Sequence, residues 1–147
     1  MALGRAKAGQ KGVVIGGGRI GLTLAESLTD QGHEAIVVES SKRIGNDVAP
    51  TWKWRHTSWI KELNIPVMTS TRVTKVTASG ATVVNGDGEE KEIAADMVIH
   101  AAPQKPNQEV FQALQWMVDE VHMVGDAVSP RGMTAAIHDG YRLGCRI

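Results

Sequence analysis

In residues 12–39, GVVIGGGRIGLTLAESLTDQGHEAIVVE, an apolar run stops abruptly at Gly16, Gly17 and Gly18, and a second apolar run ends at Glu39. The first run, residues 12–15, reads as a short buried strand. Behind the glycines, Ile20, Leu24, Ala25 and Leu28 recur at helical spacing, which predicts a helix over residues 19–31 with Glu26, Asp30 and Gln31 facing water. Gly32 supplies its stop, and residues 35–38 form the next buried strand. A strand, a crossover helix and a second strand make a βαβ unit, whose geometry forces the strands to run parallel.

The remaining chain extends this unit. Residues 40–48 are polar and contain Gly45, so they read as a loop. Pro50 opens a second helix running to about Leu63, with Trp52, Trp59, Ile60 and Leu63 on one side. That stripe is expected to be core or interface packing rather than a stacking platform, with Trp54 the exposed member. Beyond Ile65, short β-branched runs at residues 67–69, 72–77, 81–84 and 92–94, punctuated by Gly80 and Asn85-Gly86-Asp87-Gly88, predict a strand entering a small antiparallel meander packed beside the sheet. Residues 97–101 make another apolar strand, 108–117 a partly helical connection, 121–124 a last strand and 134–143 a last helix.

With 147 residues the chain can bury one core, so a single unit over residues 12–147 is expected, preceded by a flexible lead-in at residues 1–11. The net charge of zero gives no general attraction to polyanions, which argues against nucleic acid. One cysteine, Cys145, excludes an internal disulfide and a CxxC redox pair. No run approaches the ~20 apolar residues that cross a bilayer, and no secretory signal is legible; no membrane association and a cytoplasmic location are expected. His33, His56, His100, His122 and His138 form no metal or proton-relay pattern and are expected to be surface or packing residues.

Gly16, Gly18 and Gly21 satisfy GxGxxG, and each has a mechanical reason to be glycine. The first allows a tight exit from the strand, the second lets a pyrophosphate reach the backbone, and the third lets the helix pack closely. The turn Gly16-Gly17-Gly18-Arg19-Ile20-Gly21 then offers free N–H groups and a helix dipole to two phosphates. Glu39 closes the next strand about 20 residues downstream, where a carboxylate accepts ribose hydroxyls and repels a 2′-phosphate. This favours NAD(H), or the adenosine end of FAD, over NADP(H). Ser40, Lys42 and Arg43 lie beside Glu39 in the same candidate site, and the two cations offset its charge if the loop curls back.

Residues 13–39, together with ADMVIHAA at 95–102 and the islands GDA at 125–127 and AIHDG at 136–140, resemble the C-terminal region of the family of 2,4-dienoyl-CoA reductase, 2-enoate reductase and trimethylamine dehydrogenase. The resemblance implies a three-layer, Rossmann-like α/β FAD/NAD(P)-binding domain with a parallel sheet and a small antiparallel meander. It further implies that residues 121–147 correspond to the returning end of an FAD domain. By the same resemblance Ala101 and Ala102 close the strand beside the nucleotide, and Gly125 and Asp126 lie near the pyrophosphate and ribityl part of FAD. The partners it implies are an FMN barrel and the first part of an FAD domain, neither of which this sequence contains.

Two departures stand out. Pro103 and Gln104 occupy positions where the family usually has glycine and arginine, although Pro106-Asn107 matches. The isolated glycine motif also suggests a compact alternative, in which the last strand joins the sheet beside Ile15 and turns Gly125-Asp126 toward the nucleotide. The leading reading is a nucleotide-binding portion of an NAD(P)H-dependent flavin oxidoreductase, binding NAD(H) for hydride transfer to a flavin and inactive alone. A compact FAD-binding domain and an ADP-binding structural module are the alternatives. No catalytic acid, base or metal ligand is assigned.

Overall fold

The structure, a computed structural model, describes residues 9–147. They divide into two compact units, one ending at Ala102 and the other spanning Pro103–Ile147, where a single unit from Gly12 onward was expected. Most of the lead-in lies outside the described residues, but its end is tied down. Asp96 accepts hydrogen bonds from the N–H groups of Gln10 at 2.8 Å and Lys11 at 2.9 Å, and the first strand already begins at Lys11.

The first unit is built on four parallel strands, β1 (Lys11–Ile15), β2 (Glu34–Val38), β3 (Val67–Met68) and β7 (Met97–His100), in the order β3-β2-β1-β7. Helices α1 (Arg19–Asp30) and α2 (Pro50–Glu62) connect the first three. A second sheet holds β4 (Arg72–Thr77), β5 (Gly80–Val84) and β6 (Glu90–Ala94), antiparallel and in sequence order.

Strand alternation sorts the apolar side chains into two cores. Val14 of β1 with Ala35 and Val37 of β2 packs against Leu22, Ala25 and Leu28 of α1 and Ile60 of α2. Val13 and Val38 point the other way, onto Ala81, Val83 and Ile93 of the antiparallel sheet. The meander is therefore the third layer, covering a sheet face rather than lying beside it. Its acidic run, Glu89, Glu90 and Glu92, is exposed as expected.

Two helix faces differ from the sequence reading. On α1, Ile20 is 66% exposed while Leu22 is buried, and Glu26 is buried rather than facing water. Its carboxylate meets Nδ1 of His56 on α2 at 2.8 Å, a polar link between the two helices inside the apolar layer. On α2, Ile60 is buried, but Trp52 is as exposed as Trp54, at 61% and 63%.

In the second unit, α3 (Glu109–Leu114) and α4 (Met133–Gly144) flank a single 3₁₀ turn at Gly125–Ala127. The expected strand at residues 121–124 is absent; these residues are irregular. No other strand lies between Pro103 and Ile147, so within this unit their backbone has no ladder to join. No helix among the described residues is long and apolar enough to cross a membrane.

Candidate functional site

The glycine turn sits at the C-terminal end of β1. Gly16 takes φ +109°, a conformation that favours glycine, and its N–H donates to Val38 O at 2.8 Å as the chain leaves the sheet. A Cβ at Gly16 would lie 2.7 Å from Ala101 O and 2.8 Å from Ala102 N, so the chain following β7 closes directly on the turn. Ala101 and Ala102 thus lie against the turn. A Cβ at Gly21 would lie 1.9 Å from Gly16 O, which is why the first turn of α1 can come so close to the strand exit.

The head of α1 has donors to spare. Leu22 N–H makes the first intrahelical bond, to Gly18 O at 2.9 Å, whereas the N–H groups of Gly18, Ile20 and Gly21 have no acceptor among the described residues. Such N–H groups at a helix N-terminus, with the dipole behind them, suit an oxyanion. Arg19 N–H does have an acceptor, Oδ1 of Asp47 at 2.8 Å.

Glu39 is half-buried beside the turn and is heavily engaged by its own loop. Oε2 accepts Gly17 N–H at 2.6 Å; Oε1 accepts Ser41 N–H at 2.7 Å and the Ser41 hydroxyl in a short hydrogen bond, with Ser40 Oγ at 3.4 Å. Burial by itself pushes the Glu39 pKa up, but these hydrogen bonds, led by Ser41, outweigh it and hold the carboxyl below its ordinary value. Glu39 is thus held as an anion and also staples the loop to the turn. Oε1 is filled by these donors, whereas Oε2 accepts only Gly17 N–H and keeps one acceptor site for a ribose hydroxyl. Lys42 and Arg43 are exposed in the same loop, and neither side chain pairs with a carboxylate among the described residues.

The other predicted cofactor residues belong to the second unit. Gly125 is buried, with its N–H donating to Asp139 Oδ2 at 3.3 Å, and Arg131 Nη2 bonds the same oxygen at 2.5 Å. Asp126 is exposed and follows no strand, so its expected place at the end of a buried strand is not found. The compact arrangement beside Ile15 also fails on topology. Strand β1 pairs with β2 on one side and with β7 on the other, Ile15 facing Val38 and His100, so no edge of β1 remains for another strand.

Sequence reasoning overlooked Ser41, Asp47 and the Glu26–His56 pair, because nothing in spacing or periodicity marks a loop carboxylate that folds back onto a helix. The tryptophans of α2 line an open groove with Thr51 and Arg55, which includes no residue of the glycine turn. No cluster of three or more potential metal ligands occurs among the described residues.

A family model described as pyridine nucleotide-disulphide oxidoreductase matches residues 2–140. The chain is 32% identical to a metal reductase of Desulforamulus reducens over 94% of its own length and 25% of that protein's. It is 30% identical to a bilirubin reductase of Mediterraneibacter gnavus, over 88% of its own length and 20% of that protein's. Among solved structures, a 2-naphthoyl-CoA reductase in complex with 2-naphthoyl-CoA superposes with a TM-score of 0.81 at 32% identity, covering 98% of this chain and 22% of the enzyme. The chain therefore spans about a quarter or less of these relatives.

Proposed function

The chain belongs to the pyridine nucleotide-disulphide oxidoreductase family, whose domains bind FAD or NAD(P) in flavin oxidoreductases, and from that membership we propose that it binds NAD(H) as the nucleotide-binding portion of a larger NAD(P)H-dependent flavoenzyme. The observation that carries this reading is the head of α1, where three unpartnered N–H groups lie next to an anionic Glu39. Gly18, Ile20 and Gly21 would hold the pyrophosphate, and Gly16 with Ala101 and Ala102 would wall the turn. Glu39 would orient the adenosine ribose through the acceptor site left on Oε2 and disfavour a 2′-phosphate. When bound, the nicotinamide supplies a hydride for a flavin held by the intact enzyme; this chain's part is to bind and orient.

The second unit supports the idea of a larger enzyme. Met133, Ile137 and Tyr141 repeat at i, i+4 and i+8 along α4 and are 79%, 62% and 73% exposed. An apolar stripe of this kind is the face of an unfinished layer, and we assign it to the remaining FAD-domain and FMN-barrel portions of such a protein. Gly125 and Asp126 would serve the flavin nucleotide in that assembly.

Calorimetric titration of the full chain with NADH, NADPH, ADP and FAD tests this assignment. The expected result is saturable NADH binding, at least about tenfold tighter than NADPH because of Glu39, and lost in Gly18→Val. Tighter binding of FAD than NADH, with a flavin colour in the purified protein, would replace it by FAD binding at the glycine turn, without the compact arrangement beside Ile15. Equal affinity for ADP and NADH would instead make the chain an ADP-binding structural module.

A further inference from the structure

The glycine turn is roofed by the chain's own loop after β2. Gly45 N–H donates to Gly17 O at 2.7 Å and clamps that loop to the turn. A Cβ on Gly17 would lie 2.8 Å from Cγ2 of Ile44, and one on Gly18 would lie 2.9 and 3.0 Å from the two carboxylate oxygens of Asp47. The space above Gly18, which the GxGxxG geometry reserves for the approach of a pyrophosphate, is thus faced by a carboxylate of the protein. Its only hydrogen bond among the described residues is with Arg19 N–H at 2.8 Å.

We propose that Asp47 is an internal anion at the head of α1 that competes with the phosphates of the nucleotide and so sets the affinity of the site. The proposal rests on the nucleotide reading above and adds a named residue that opposes binding. Its physical basis is that the helix N-terminus attracts an anion from either source through adjacent N–H groups and the same dipole. Two anions within a few ångströms repel one another. A pyrophosphate must therefore displace the Asp47 carboxylate from Arg19 N–H or bind beside it at a cost.

The local construction allows that displacement. Asp47 is exposed and pairs with no cation, whereas its neighbour Asn46 is held within the loop, donating to Ser41 Oγ at 3.0 Å and Arg43 O at 3.1 Å. Glu39 in turn holds Ser41. The side chain that confronts the phosphate is held by one hydrogen bond, in a loop whose backbone is clamped to the turn and stapled by the residue assigned to the ribose. Adenosine, which has no phosphate, can occupy the ribose side without moving Asp47.

The experiment compares the full-length wild-type chain with Asp47→Asn, which removes the charge and keeps an acceptor for Arg19 N–H, and with Asp47→Ala, which removes both. Each is titrated calorimetrically with ADP and with adenosine. Asp47→Asn is expected to tighten ADP about two- to fivefold, an effect of the size expected for an anion at an exposed helix end, and to leave adenosine unchanged. In ligand-free protein the Arg19 amide resonance should shift on Asp47→Asn, and ADP should move the same resonance in the wild type. Equal ADP affinity in wild type and Asp47→Asn overturns the competition alone. So does equal tightening of ADP and adenosine, which would report a looser loop, or weaker ADP binding, which would make Asp47 a ligand of the nucleotide. Absence of ADP and adenosine binding in all three proteins overturns the nucleotide reading and the competition together. If Asp47→Ala does not fold, the Asn variant still decides, because its acceptor is retained.

Discussion

The unit ending at Ala102 and the unit from Pro103 onward each present a glycine beside a carboxylate, and they do so on opposite foundations. Around Gly16–Gly21 the backbone lies against a filled core: Val13, Val14, Val37 and Val38 are 2% exposed or less, and Gly16 and Gly21 have no room for a Cβ. In the second unit Gly125 is the only buried residue, and Trp116 and Met117 are 86% and 77% exposed. The first site is held by packing on both faces of a sheet, the second by hydrogen bonds to Asp139 and the wall of one helix. A site needs a rigid surround to hold reacting groups in place. The first unit supplies that surround from its own sequence, while the second leaves an apolar helix stripe exposed.

Substitutions can break this contrast. The largest effect is expected from Gly21→Val, whose Cβ would fall on the Gly16 carbonyl with backbone on both sides. It should destabilise the first unit by about 3 kcal/mol or more, seen as a lower denaturation midpoint in urea and loss of NADH binding. Next comes His56→Leu, which leaves the Glu26 carboxylate buried without its partner. Breaking a buried pair from one side costs about 3 kcal/mol, and His56→Leu combined with Glu26→Leu should recover much of that loss in the same melt. If His56→Leu alone is neutral, the polar link between α1 and α2 does not contribute to the core.

Acid should act on the first unit through two further carboxylates. Asp96 is held below its ordinary pKa chiefly by Lys11 N–H and then by Gln10 N–H, and Glu39 is also lowered. A folded-state pKa below the unfolded one contributes stability above the unfolded value, and that contribution is lost as pH falls through the folded one. The start of β1 and the Glu39 staple are therefore expected to loosen together below about pH 4, with faster amide exchange at Gln10, Lys11, Gly17 and Ser41. Exchange at these amides that stays unchanged relative to the core of β5 would remove both carboxylates from the account.

The smallest effect belongs to the second unit. A Cβ on Gly140 meets nothing within 4 Å, so the close packing that a glycine inside α4 would suggest is not there. Gly140→Ala should raise the stability of α4 by about 0.5–1 kcal/mol through helix propensity alone, measured as helicity by circular dichroism. A loss on that substitution would show that Gly140 faces another surface in solution.

The βαβ unit was legible because its signals are local. Strand, glycine turn, helix and acid follow one another in 28 contiguous residues, and both periodicities can be read without knowing any distant contact. The meander was legible for the same reason, since turn residues separate its short strands. Residues 121–124 looked like a strand by the same composition, yet a strand is completed by a neighbour, and propensity does not supply one. Ile20 and Glu26 were misplaced because the helical stripe gives a direction only to within a fraction of a turn; contact with α2 set the actual face.

What the residues determined alone is the parallel βαβ core and the glycine turn that leads into its helix, both consequences of backbone sterics and side-chain period. Tertiary structure alone decided which groups meet that turn. It placed Asp47 on Arg19 N–H, bound Glu39 to Ser41 and Gly17, and gave both edges of β1 to β2 and β7, which excluded a further strand beside Ile15. The reason is physical: hydrogen bonds between a loop and a helix end depend on where packing sets the loop down, and no periodicity along the chain encodes that distance.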